Sequence, residues 1–276
     1  MSATALMAVQ QIRKMRGGSQ AHLMRASDGN YYIVKFQNCP QHPRVLANEY
    51  LATKIAISLG LPMPEVRLID VPDCVIGSTP ELRIETAGKC FPCSSGVQLA
   101  CRYAGDIWQD RVVDYMPEAV SCRVENFSKL IQVLAFDKWV GNCDGRQAVF
   151  SKPQNERLYR MTCIDQGWCF NAAEWTFPDL PLHGVYRHRW VYGDVTDWNS
   201  FEPVLTNVEQ FDPAQLWEWT TDVPEEWHQG QAGELCELIE SLLKRRQLVR
   251  NLITDFRNCS ENPFLNWEYS KPGLRS

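Results

Sequence analysis

Hydrophobic and polar positions give the chain two rhythms. In the first part, short apolar runs are broken by turn residues. "AHLMRASDGNYYIVKF" (residues 21–36) reads as two strands joined by a Ser-Asp-Gly-Asn turn at 27–30. "PRVLANEYLATKIAISLG" (43–60) switches to helical spacing. Val45, Ala52, Ile55, Ala56 and Leu59 fall on one face, Gly60 suits a C-cap, and Pro62 and Pro64 end the helix. "EVRLIDV", "ELRIETA" and "VQLACRYA" predict three more strands. Residues 4–15 carry helical spacing ahead of the "RGGSQ" stretch.

The second part is predominantly helical. "VENFSKLIQVLAFDKWVG" (124–141) is amphipathic, with Phe127, Leu130, Ile131 and Leu134 on one face. Two short strands follow, "QAVFS" and "LYRMTCID", joined by a Pro153-Gln154-Asn155-Glu156 turn. Residues 174–195 are irregular and rich in Trp, Tyr and Pro; their aromatics, with Trp168 and Trp198, are expected to pack a core. Residues 232–259 predict one long helix or two, and the basic run 244–250 reads as a solvated helix end. The expected fold is α+β and bilobal. A strand-rich lobe with one main helix spans about residues 1–103, and a mainly helical lobe about 104–276, together forming one domain.

Composition narrows the function. The chain has 276 residues, 45% of them apolar, which is ordinary globular usage. No apolar run reaches the roughly 18 residues of a membrane helix. The start lacks a basic stretch ahead of its short apolar run, so a cleaved signal is not expected and the cytoplasm is. A net charge of −5 argues against bulk nucleic-acid binding. Eleven scattered cysteines, an odd number, suit free thiols better than a disulfide framework. The pair Cys90 and Cys93 would bind zinc only with two further ligands, from Cys101 or from Cys39 and His42.

Four features carry chemistry. Gly17-Gly18-Ser19-Gln20 is a flexible loop whose backbone N–H groups can approach a phosphate. Lys35 sits in an apolar strand, where a buried ammonium needs an anion. Glu49 shares the stripe of Val45, Ala52 and Ala56 and needs a cation. Asp144 follows the amphipathic helix and Asp165 ends the second strand of a hairpin. A hairpin returns its ends to one place, so the two carboxylates can face one site. One can orient or deprotonate a hydroxyl, and the other can hold a divalent metal.

In this order, the glycine loop, "VKF", "NEYLATKIAISLGLPMP", "GNCDGRQ" and "IDQGWCF" resemble the HipA-type kinases, a divergent protein-kinase-like family. The resemblance covers about residues 10–175 and implies ATP and Mg2+ as cofactors. It matches Gly17, Gly18, Ser19 and Gln20 to the phosphate loop, Lys35 to the ATP-binding lysine and Glu49 to its helix partner. It matches Asp144 to the catalytic aspartate and Asp165 to the magnesium ligand, with an adenine-reading hinge near Leu99 to Tyr103. The departures are informative. Val149 stands where the family has a second, asparagine metal ligand; Gln147 and Asn142 are the nearby amides. Arg146 replaces a common histidine, and Met15 a self-phosphorylated serine. The implied function is transfer of phosphate from ATP to a hydroxyl, Ser/Thr-type, of a protein or small molecule. The alternatives are a nucleotide-binding pseudokinase acting through a regulatory protein partner, and a partner-binding protein with zinc at Cys90 and Cys93.

Overall fold

The computed structural model describes residues 6–260 and 262–267. Strands β1 (Ala8–Lys14), β2 (His22–Ala26) and β3 (Tyr31–Lys35) lead into helix α1 (Arg44–Ser58). Strand β4 (Val66–Val71), helix α2 (Asp73–Ser78), and strands β5 (Arg83–Thr86), β6 (Lys89–Pro92) and β7 (Gly96–Arg102) follow. The main sheet is antiparallel in the order β1-β2-β3-β7-β4, and β5 with β6 forms a separate hairpin. Beyond it come β8 (Arg111–Val113), α3 (Lys129–Val140), β9 (Gln147–Lys152) and β10 (Arg160–Ile164), the three strands pairing in the order β10-β9-β8. Helices α4 (Val204–Glu209), α5 (Pro213–Thr220), α6 (Glu225–His228), α7 (Ala232–Arg245) and α8 (Val249–Arg257) complete the described chain.

Several expectations are corrected. Residues 8–14 form a strand, not a helix; residues 4 and 5 lie outside the described residues. Two register shifts, between Ala8 and Gln10 and between Gln11 and Arg13, break the two-residue alternation that would have marked a strand. The short helix α2 and the strand β6 were not anticipated. α2 has six residues with none buried, and β6 is exposed along its length, so neither carries an apolar pattern. A third strand, β8, joins the predicted pair. Helix α3 is buried almost all round rather than amphipathic, because the helices and strands of the second half enclose it. Arg245, within the basic run, turns inward: its guanidinium donates to both carboxylate oxygens of Asp179 and to the carbonyls of Lys138 and Trp139.

Two apolar cores result. The smaller lies behind the main sheet, where Met24, Tyr32, Val34, Ile69 and Ala100 meet Leu82 and Ile84. The larger begins on α1 and runs without interruption through α3 and the C-terminal helices. Leu46, Leu51 and Ile55 of α1 are completely buried there, and each contributes about 1.5–3 kcal/mol. α1 therefore packs with the second half of the chain as firmly as with its own sheet. Gly141 ends α3 in the left-handed conformation, φ +57°. A Cβ at that position would lie 2.7 Å from the Phe177 ring, so only glycine lets the chain turn there into the Asp144 loop.

Candidate active site

Alternation along β3 sends Tyr32 and Val34 into the smaller core and Lys35 to the opposite face, over α1. Lys35 is 7% exposed and its ammonium is ion-paired with Glu49. Glu49 stands on the buried face of α1, and its second oxygen accepts a bond from the Cys101 thiol of β7 at 3.4 Å. Lys35 also meets the Asp165 carboxylate at 2.8 Å. Burial alone would lower the lysine pKa; the negative charges of Glu49 and Asp165 reverse this and hold it above its ordinary value. Burial would raise Asp165, but Lys35, and Arg146 further off, hold it below the usual carboxylate range. Lysine and aspartate are thus both charged at neutral pH.

The β9–β10 hairpin brings the second carboxylate to this point. Gln147, the first residue of β9, pairs with Ile164, the last of β10, immediately before Asp165. The Gln147 amide nitrogen lies 3.4 Å from an oxygen of Asp144 and 3.3 Å from an oxygen of Asp165. One nitrogen touches both carboxylates, so the two aspartates face one site. Asp144 is exposed. Its other oxygen accepts the Gly145 N–H at 2.7 Å, and its own N–H donates to the Asn142 side chain at 3.2 Å. Asn142 is buried and also donates to Asp137 at 3.0 Å, so its amide is engaged on both sides in shaping the loop. Val149 follows Gln147 on the same face of β9 and pairs with Thr162.

The glycine loop closes the β1–β2 hairpin. Antiparallel pairing of His22 with Val34 puts the loop at the Lys35 end of the sheet. Gly17 takes φ +124°, and a Cβ there would meet nothing within 4 Å. The Gln20 side chain is turned away to the β5–β6 hairpin, exchanging two hydrogen bonds with the backbone of Glu85, at 2.6 and 2.9 Å. The zinc reading is not supported. Cys90 is exposed and Cys93 buried, and among the described residues no group of three or more His, Cys, Asp or Glu side chains could hold a metal ion.

Three supporting residues were missed or left without a role. Arg146 is 3% exposed and donates through Nε to Asp137 at 2.9 Å, with a second, shorter bond from its fork. It also reaches the Ile164 carbonyl at 3.1 Å and Gln166 at 3.0 Å. It therefore ties α3 to the strand end that presents Asp165. The available signal was Asp137 itself, a carboxylate inside the apolar run "LAFDKWV". Asn48 is wholly buried between α1 and the chain after Asp165. Its signal was a polar residue three positions after Val45 and four before Ala52, on the apolar stripe.

A family model described as HipA-like kinase matches residues 8–258. Among solved structures, the Helicobacter pylori proinflammatory kinase CtkA aligns with 86% of this chain and 94% of its own, at 14% identity and a TM-score of 0.50. The Golgi casein kinase aligns with 92% of this chain and 74% of its own, at 11% identity and a TM-score of 0.57. HipA of Shewanella oneidensis MR-1, solved with HipB and its operator DNA, covers 93% and 66% at 12% identity, with a TM-score of 0.49. No curated protein matches in sequence. At such identities the first two show the fold, which is α+β and protein-kinase-like.

Proposed function

The chain belongs to the HipA-like kinase family, and from that premise we propose that it transfers phosphate from ATP, with Mg2+, to a hydroxyl of the Ser/Thr type. The observation that carries the reading is the contact of Lys35 with Glu49 and Asp165, with Asp144 one amide away. The residues fit the cofactors. The Asp165 carboxylate and an amide oxygen are hard donors that suit Mg2+, and Asp165 stays ionised beside Lys35. Lys35 holds the phosphates of ATP, and Glu49 holds Lys35. Gly17, Gly18 and Ser19 offer backbone N–H groups to the phosphates. Asp165 ligates the metal, which when bound neutralises charge on the phosphates. Asp144 orients the acceptor hydroxyl and takes its proton. Gln147, whose amide nitrogen lies between the two carboxylates, would offer its oxygen to the metal after an amide flip, where Val149 has no donor to offer. The acceptor is a protein or a small molecule, since the acidic chain offers no broad basic footprint.

A pseudokinase reading rests on Val149, and it keeps nucleotide binding while dropping transfer. The test of the shared premise is a calorimetric titration with ATP and Mg2+, wild type beside Asp165→Asn. Binding that Mg2+ strengthens, and that weakens about 10-fold or more in the variant, supports the site. Equal binding in the two proteins refutes Asp165 as the ligand.

A further inference from the structure

We infer that Asn48 is a positioning residue: it pins the segment after Asp165 to α1 and so sets the spacing between Asp165 and Lys35. This rests on the kinase reading of that site and assigns the spacing to a residue with no contact to the reacting groups.

The chain after β10 is irregular and strained. Asp165, Phe170, Asn171, Ala172 and Trp175 take φ values of +62°, +59°, +59°, +56° and +51°. L-residues crowd their own backbone there, and such conformations persist only when the surroundings impose them. An irregular buried segment also leaves its carbonyls without ladder partners, and these need donors. Asn48 supplies them. Its amide nitrogen lies 3.0 Å from the Gly167 carbonyl, 3.0 Å from that of Cys169 and 2.6 Å from that of Ala172. Its oxygen accepts the Trp175 indole N–H at 2.7 Å. One side chain thus holds four points of an eleven-residue stretch, 165–175.

Position makes this consequential. Glu49, the next residue, holds Lys35. Neighbouring residues of one helix therefore hold Lys35 itself and the segment that starts two residues after Asp165, and the peptide between them is the ruler. The fit is close, since a Cβ on Gly167 would stand 3.3 Å from both the Cβ and the carbonyl oxygen of Val45. The ruler is itself anchored. Arg44 donates to the Ala173 carbonyl at 2.9 Å, pairs with Gln231 and Glu234, and lies over the Trp175 ring at 4.2 Å. Tyr50 donates to Asp222 at 2.9 Å.

The test uses the whole chain and three variants. Asn48→Leu removes all four contacts, in which the two amide hydrogens are shared among three carbonyls; Asn48→Asp keeps only the acceptor for Trp175, and Trp175→Phe removes the indole N–H while keeping a smaller aromatic ring. Two readouts are taken: amide hydrogen exchange of residues 165–175, and the Mg2+ dependence of ATP binding. The expected result for both Asn48 variants is faster exchange confined to 165–175 and an apparent Mg2+ affinity about 10-fold weaker, with metal-free ATP binding within about 2-fold. Trp175→Phe moves both readouts the same way but less. Should Asn48→Leu fail to fold, the other two variants decide. Unchanged exchange in folded variants overturns the inference. So does a loosened segment with unchanged Mg2+ dependence, which would make Asn48 merely structural. If the wild type binds no Mg-ATP, the kinase reading fails separately, and the exchange data alone decide whether Asn48 holds the segment.

Discussion

Removing Arg146 is the sharpest perturbation of the loop that carries Asp144. Its side chain is 1% exposed and that of its partner Asp137 is fully buried. The guanidinium donates two bonds to that carboxylate and one each to the Ile164 carbonyl and Gln166. Arg146→Met keeps most of the volume but leaves the buried Asp137 carboxylate with the Asn142 side-chain amide, at 3.0 Å, in place of a charged partner. A buried pair broken on one side destabilises by roughly 3–5 kcal/mol. Most of that penalty is the stranded charge, so removing both charges relieves it. Arg146→Met with Asp137→Leu is therefore expected to lose much less than the two single losses added, with a coupling of about 2–3 kcal/mol. Urea unfolding followed by tryptophan fluorescence measures all four corners of the cycle. The double variant is expected to fold and to lack turnover, because the Ile164 carbonyl and Gln166 have lost their anchor to α3. A cost below about 1 kcal/mol for Arg146→Met, or simple additivity of the two losses, would refute the reasoning.

Three further outcomes follow. His22 is fully buried, against the Phe36 ring, and burial, with Lys14 nearby, lowers its pKa to about 4; neutral His22 stabilises the fold fully above the unfolded value of about 6.5, and this is lost as pH falls toward 4. Between pH 7 and 5 it accounts for about 1–2 kcal/mol after allowance for solvent screening, and urea titrations of His22→Leu should show a flatter acid slope by that amount. Gly184 takes φ +71° and a Cβ there would stand 2.5 Å from the Asp137 Cβ, so Gly184→Ala should destabilise by about 2–4 kcal/mol in the same assay. Gln147→Leu should weaken Mg2+ affinity by about 10-fold or more in calorimetry without shifting the unfolding midpoint, because the residue is exposed.

Lys35 and Glu49 were legible in the sequence for one reason: each puts a charge where apolar residues dominate. Lys35 in "YYIVKF" and Glu49 on an apolar stripe each needed a partner, and they found one another. Asp144 and Asp165 were legible because a hairpin closes on itself. Strand β1 was misread because its two bulges destroy the alternation that defines a strand in sequence. The role of Asn48 was hidden for a different reason: its partners lie about 120 residues away, in carbonyls of a segment with no periodicity. Arg245 was hidden similarly, since a basic run reads as solvated until Asp179 folds over it. Local pattern reports which side chains are out of place, and only tertiary structure reports what they are out of place for.

Asp144 and Asp165 are proposed to divide the work of phosphate transfer between them. ADP release in the presence of ATP and Mg2+, for wild type, Asp144→Asn and Asp165→Asn together, tests it most directly. The expected result is turnover by the wild type, abolished in both variants, with Mg-ATP binding retained in Asp144→Asn and weakened in Asp165→Asn. Mg-ATP binding by the wild type without ADP release, or release unchanged by Asp144→Asn, would contradict it.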